Sequence, residues 1–246
     1  MTFAAISDVH GNIAALEAVL DDIASRGITQ IVNLGDSLSG PFDAAATADL
    51  LINRDLLTVR GNHDRMLFDR PRDKMGLWED WIIDQLSPDH LEWIKSLPLV
   101  AQFGNAFLCH ATPSSDEENW LDHRGPNHRL IPRELAEVEL RAGSISHSLM
   151  LCGHTHTARS VRLPDGRQIV NPGAVGCPAY LDTRNDQPFI QQTGSPDARY
   201  AILEETAQGW KVDLVSVPYD ATEMVELAER RGADSWVRAI TTGWFV

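Results

Sequence analysis

Val59-Arg60-Gly61-Asn62-His63-Asp64 sets an amide, an imidazole and a carboxylate directly after a glycine turn, at the end of a short β-branched stretch, Leu57-Thr58-Val59. Four further apolar stretches end similarly, in Asp8-Val9-His10, Gly35-Asp36, Cys109-His110 and Cys152-Gly153-His154-Thr155-His156. One Asp after a glycine is ordinarily a turn residue, and one buried His is ordinarily hydrogen-bonded core. Asp8, His10, Asp36, Asn62, His63, His110, His154 and His156 taken together call for another explanation. Mixed nitrogen and oxygen donors suit divalent transition metals such as manganese, iron, zinc, cobalt or nickel. About seven donors exceed one tetrahedral site, so two cations sharing a carboxylate fit better. Such pairs sit roughly 3.5–4 Å apart and clamp an in-line phosphoryl displacement. Cys152 alternates with His154 and His156, but Gly153 breaks the alignment, and sulfur ligation is set aside.

These side chains need elements that bring them to one edge. Phe3 to Ser7 reads as a buried strand, followed by a helix whose face carries Ile13, Leu16, Val19, Leu20 and Ile23 and which stops at Gly27. Gln30 to Leu34 is a second strand, Pro41 opens a second helix, and Leu56 to Val59 is a third strand. This alternation predicts a parallel sheet with helices on its faces, and ligands bind at the carboxyl edge of such sheets. Residues 65–97 read as interrupted helix, with Ser87 as a cap and Pro88 in the first turn. Trp78, Trp81 and Trp93 have helical spacing and are assigned to the core or an interface. A hairpin is expected around Gly104-Asn105, and an acidic, polar insert runs from Ser114 to Arg133. A helix over 134–141, a strand at Leu149-Met150-Leu151 and a hairpin over Pro164-Asp165-Gly166 follow. The turn Asn171-Pro172-Gly173-Ala174-Val175-Gly176, two strands around Gln208-Gly209, a polar helix over 221–231 and a short tail complete the chain. No linker divides it, so one main domain over 1–246 is expected, with insertions at about 65–98 and 114–146.

The chain has 246 residues, with 21 basic against 35 acidic side chains and a formal charge of -14. That balance disfavours nucleic-acid binding, because an acidic surface repels the phosphate backbone. Cys109, Cys152 and Cys177 form no metal-type pair and read as buried thiols. No basic segment followed by a long apolar run opens the sequence, and no run of about 18 apolar residues spans a membrane. A cytoplasmic location is expected. The sequence allows a homo-oligomer without specifying one.

The five blocks, in this order, resemble the calcineurin-like metallophosphoesterases, whose pattern runs D-x-H, G-D, G-N-H-D/E, H and G-H-x-H. Asp36-Ser37-Leu38-Ser39-Gly40-Pro41 and the turn at 171–176 are most similar to the compact bacterial and archaeal phosphodiesterase branch. The resemblance implies a two-sheet αββα sandwich with a helical insert, and two metal ions with manganese favoured for activity. It implies that Asp8, His10 and His156 hold one metal, that Asn62, His110 and His154 hold the other, and that Asp36 bridges them. A hydroxide between the metals would attack phosphorus in a small phosphorylated substrate. His63 would donate a proton to the leaving oxygen; Arg60 would either add positive charge near the phosphate or serve as a surface or structural arginine.

One position departs from the pattern of the serine/threonine protein phosphatases in this superfamily. They carry a carboxylate three residues after the Asp of the G-D block, where it orients the catalytic His. This chain has Ser39 there, which weakens a protein-phosphatase assignment; Asp64 is a candidate to orient His63 instead, but adjacent residues often point apart, so the orienting group stays open. His90, His123, His128 and His147 read as ordinary, with Asp122 and His123 placed where an insert could fold over the pocket. The expectation is a phosphodiesterase. A phosphomonoesterase for nucleotides or phosphoproteins is the alternative enzyme, and a catalytically silent metal-binding scaffold is the alternative from another class. A dinucleotide-binding oxidoreductase is set aside, because the first turn lacks G-x-G-x-x-G.

Overall fold

The computed structural model describes residues 1–183 and 188–246. In chain order, the first half runs β1 (Thr2–Ile6), α1 (Ile13–Ser25), β2 (Ile31–Asn33), α2 (Ala44–Arg54), β3 (Leu57–Thr58), α3 (Asn62–Asp69), α4 (Leu77–Asp80), α5 (Pro88–Ser96), β4 (Val100–Phe103) and β5 (Ala106–Cys109). The second half runs β6 (Asp122–Arg124), β7 (Leu130–Pro132), α6 (Leu135–Ala142), β8 (Leu149–Leu151), β9 (Arg159–Arg162), β10 (Gln168–Asn171), β11 (Ala179–Asp182), β12 (Phe189–Gln192), β13 (Ala198–Thr206), β14 (Gly209–Val217), α7 (Thr222–Arg230) and α8 (Asp234–Thr242).

Two five-stranded sheets dominate, with orders β14-β13-β1-β2-β3 and β4-β5-β8-β10-β9. Three neighbouring strands of each are parallel, namely β1-β2-β3 and β5-β8-β10. The remaining strands join antiparallel, β13 and then β14 beyond β1 in the first sheet and β4 and β9 at the two edges of the second. Strict alternation decides which side chains lie between the sheets. Phe3 and Ala5 of β1 pack inward with Val32, Leu108, Leu149, Leu151, Val170 and Trp210. Ala4 and Ile6 of the same strand face outward onto Leu16, Val19, Leu20 and Ile23 of α1. On the outer face of the second sheet, Met150 and Ile169 pack against Val138 and Ala142 of α6. The expected αββα sandwich is therefore present.

The helices and hairpins forecast from periodicity are found near their expected places, and Ser87 accepts the backbone N–H of His90 at the start of α5. Three elements differ. The insert from Ser114 contains the β6-β7 hairpin, and β11 pairs with β12 in a stretch for which no element was expected. The tail is not irregular: it forms α8, which buries Trp236, Ala239 and Ile240. With Met224 and Ala228 of α7 these pack on Phe42, Cys177, Tyr180 and Phe189, closing one side of the sheet edge that carries the polar residues. No helix among the described residues is long and apolar enough to cross a membrane.

Candidate active site

The chain emerges from β1, β2, β5 and β8 on one edge, and the loops there are tied by their backbones. Asp8 N–H donates to the Gly35 carbonyl at 2.9 Å, and His10 N–H to that of Asp36 at 3.0 Å. Gly153 N–H donates to the His110 carbonyl at 2.6 Å. Asp8, His10, Asp36, His154 and His156 all hold left-handed backbone conformations, with φ between 51° and 68°. Non-glycine residues rarely adopt that region, and such departures gather at functional sites. Two glycines are required by close approach. A Cβ on Gly61 would lie 2.1 Å from Asp36 Oδ1, and one on Gly153 would lie 1.9 Å from Ser7 Oγ.

The side chains form two buried groups. Asp8, His10 and His156 make one, and Asp36, His110 and His154 the other, with ligand atoms inside each group within 4.8 Å of one another. In the first, His10 Nε2 and His156 Nε2 face each other at 3.2 Å. His10 Nδ1 donates to the Ser39 carbonyl and His156 Nδ1 to the Cys177 carbonyl, each at 2.7 Å. A carbonyl only accepts, so each Nδ1 carries a hydrogen, and in the neutral form of each ring Nε2 is the lone-pair atom turned towards the other. Two opposed lone pairs beside a carboxylate suit a cation, and the outer carbonyls fix the ring orientation as metal-binding imidazoles require. In the second group, His110 Nδ1 donates to the Leu34 carbonyl at 2.7 Å. Its Nε2 lies 3.2 Å from Asn62 Oδ1 and 3.2 Å from Asp36 Oδ2. His154 Nε2 meets the Glu117 carbonyl at 3.0 Å, which leaves Nδ1 as its lone-pair atom.

The electrostatics agree. Burial opposes charge on His110, yet Asp36 and Asp8 outweigh it and lift the ring to about 10. Burial also works against the Asp8 and Asp36 carboxylates, but the histidines around them hold both below the usual range. His10 goes the other way, pushed down to about 3 by burial and by His156. A buried anionic site that draws a proton onto one of its imidazoles is one that divalent cations would neutralise. The donor set thus fits the metals that the sequence implied.

The other expected residues are distributed differently. Asp64, buried, is turned away from His63. Its carboxylate accepts the backbone N–H groups of Asp36 and Ser37, each at 2.8 Å, and of Gly61 at 3.0 Å. Burial and the charge of Asp36 push it up to about 6. The carboxylate that meets His63 is Glu79, whose Oε1 accepts from Nδ1 at 2.5 Å. The candidate orienting group is therefore corrected from Asp64 to Glu79. Asp64 instead ties the β2 and β3 loops together, because the turn of α3 points it back under the strand ends. Arg60 places its guanidinium over Phe68, 5.2 Å from the ring centroid. It lines a 280 Å³ cavity with Arg65, Thr112 and the far side of His110, not the cavity bordered by His63.

Sequence reasoning missed the walls. A 320 Å³ cavity opens over the two groups, lined by Asp36, His63, His154 and His156 and opposite them by Met66, Leu77, Trp78 and Tyr180. Trp78 stacks on His63, with 4.9 Å between centroids and 18° between planes. Trp236 of α8 meets Trp78 edge-on at 4.7 Å. Trp81 and Trp93 are half-buried and pack against the apolar cluster that includes Leu67, Ile82 and Ile94. Of the watched pair, Asp122 is buried and bound to Arg159 at 2.7 Å, while His123 lines an adjoining 590 Å³ groove. Asp122 also accepts from Thr155 Oγ1 at 3.3 Å, between the two histidines of the last block. The buried Cys152 lies outside both groups.

Residues 1–189 match the model of the calcineurin-like phosphoesterase superfamily domain. The chain belongs to this family. It is 28% identical over 254 residues to an uncharacterized protein of Methanocaldococcus jannaschii, covering 95% of this chain and 94% of that one. The crystal structure of a metallophosphoesterase from Sphaerobacter thermophilus is similar throughout, at 27% identity and a TM-score of 0.75, over 99% of this chain and 100% of that one. Membership in the family places the chain among phosphoester hydrolases.

Proposed function

We propose that this chain is a dinuclear metal-dependent phosphodiesterase acting on a small phosphodiester. The observation that carries the reading is the opposed Nε2 pair of His10 and His156 at 3.2 Å beside Asp8, with a second donor group adjacent. Asp8, His10 and His156 would hold one cation and Asn62, His110 and His154 the other, with Asp36 between them. Bound cations of this kind polarise phosphoryl oxygens and bring the pKa of bound water down towards ~7. His63 borders the same cavity and is the group suited to protonate the leaving oxygen.

The cavity shape supports a diester. The 320 Å³ space over the metal ligands and the 590 Å³ groove share Met66, Arg70 and Asp182 along their boundary. A phosphate seated over Asp36 and His156 would have room for one ester arm towards Trp78 and Tyr180 and a second towards His123 and Arg124. The acidic surface favours a small substrate over a nucleic acid. Function lives in the pocket walls, since the same ligands can serve a monoester.

The test is a paired initial-rate assay on protein stripped of metal and resupplied with manganese, using an aryl phosphodiester and its monoester. Metal-dependent turnover favouring the diester is expected. Monoester preference would replace this reading with the phosphomonoesterase, and no turnover with any of the five metals would favour the scaffold. In His63→Gln both cations stay bound while turnover falls about 10²–10⁴-fold, the usual contribution of a positioned proton donor.

A further inference from the structure

We propose that Glu79, with Trp78 beside it, is the positioning residue for His63, so that the helical insert supplies the group that Ser39 does not. This rests on the functional reading above. Glu79 is 1% exposed although charged, and a carboxylate is kept in such a place only with a partner. Its partner is His63 Nδ1. A carboxylate accepts, so Nδ1 carries the hydrogen and Nε2 is left as the ring nitrogen for the substrate, on a ring that borders the cavity. Trp78 covers one face of the same ring. The hydrogen bond fixes rotation within the ring plane, and the stack fixes the plane itself.

Both restraints come from consecutive residues of the single turn α4, and the rest of the fold holds that turn in place. Gly76 precedes it and leaves room for the carboxylate, since a Cβ there would lie 2.6 Å from Glu79 Oε2. On its other side Trp78 abuts Trp236, so α8 backs the arrangement from the far end of the chain. Ser39, at the position where a carboxylate would be expected, sends its hydroxyl to the His63 carbonyl at 3.4 Å and its own carbonyl to His10. Neither of these hydrogen bonds reaches the His63 ring.

In the step this serves, the P–O bond to the leaving group breaks and its electron pair stays on that oxygen. That oxygen takes the proton from His63 Nε2. The new P–O bond comes from water, whose proton passes to solvent. Glu79 neither gains nor loses a proton; it keeps Nε2 aimed.

The experiment compares wild type with Glu79→Gln, His63→Ala and the double variant on aryl phosphodiesters whose leaving groups span weakly to strongly basic phenolates. Glu79→Gln should lower kcat about 10–100-fold with KM and bound metal unchanged, less than loss of the proton donor itself. The loss should grow as the leaving group becomes more basic, because poor leaving groups need the proton most. The double variant should be no slower than His63→Ala, since the two residues act as one unit. Losses that multiply, or that are the same for every leaving group, would overturn the proposal. A second readout needs no turnover: the proton spectrum of the zinc-loaded, diamagnetic full chain. A strongly downfield His63 Nδ1 proton in wild type, absent in Glu79→Gln, supports the pairing. Its absence from wild type, or its persistence in the variant, refutes it. Should wild type hydrolyse neither ester, the functional reading falls and the proton resonance alone decides the pairing.

Discussion

Arg159→Met would strip the guanidinium from Asp122 and leave a buried carboxylate behind the last metal-binding block. Arg159 Nη2 lies 2.7 Å from Asp122 Oδ1, and Thr155 Oγ1 donates to the other oxygen at 3.3 Å. Removing one member of a fully buried pair costs about 3–5 kcal/mol. The Arg159 side chain is 27% exposed, so water takes up part of the loss and about 2–4 kcal/mol is expected. The sign of the pH dependence follows from Asp122 itself. Burial raises its carboxyl above the ordinary 3.8, against the pull of Arg159. A group raised on folding favours the folded state below its unfolded value, and that advantage is lost as pH rises through the folded value. Without Arg159 the folded value climbs further, so the variant's deficit deepens towards neutral pH and shrinks in acid. Urea unfolding of the metal-free protein at about pH 4.5 and about pH 7.5 measures this, with most of the loss expected at the higher pH. Adding Asp122→Asn should recover much of the stability. Equal losses at both pH values, or a double variant as weak as the single, would refute the reasoning.

Asp36→Asn should abolish turnover and weaken binding of both metals together, because the proposed arrangement shares Asp36 between the two cations; metal content after desalting checks this. Trp236→Ala should cost about 3–5 kcal/mol in chemical denaturation as a buried aromatic truncation. It should also lower kcat through Trp78, which loses the ring behind it. Cys109, Cys152 and Cys177 are buried, and burial pushes every one of these thiols well up. Thiol reagents should leave them untouched in the folded protein and label all three in denaturant, as mass spectrometry would show.

The two-sheet frame and the polar edge were readable because each donor block ends a short apolar strand, and strand ends in such folds converge on one edge. The left-handed conformations of Asp8, His10 and Asp36 were not read from the sequence, although Gly11 follows His10 and Gly35 precedes Asp36. Glu79 was not readable. It meets His63 across a change of direction between α3 and α4, and no periodicity marks such a contact. The only trace was the missing carboxylate at Ser39, which said that a partner was needed without saying from where. Trp78 was assigned to the core by helical spacing, and spacing cannot tell a core-facing ring from one lying over a cavity. The helix α8 did carry a signal: Trp236, Ala239 and Ile240 recur at three- and four-residue spacing before Gly243. Asp64 misled for the converse reason. Being adjacent to His63 in sequence, it points elsewhere on the first turn of α3 and binds backbone.

The proposed function depends on two cations held at one edge of the sheets. The direct measurement is a metal count on manganese-loaded, desalted protein, made alongside phosphodiester hydrolysis by the same sample as metal is titrated back into stripped protein. Two ions per chain, with turnover completed only by the second, is the expected result. Full turnover with one ion per chain, or with none, would contradict it.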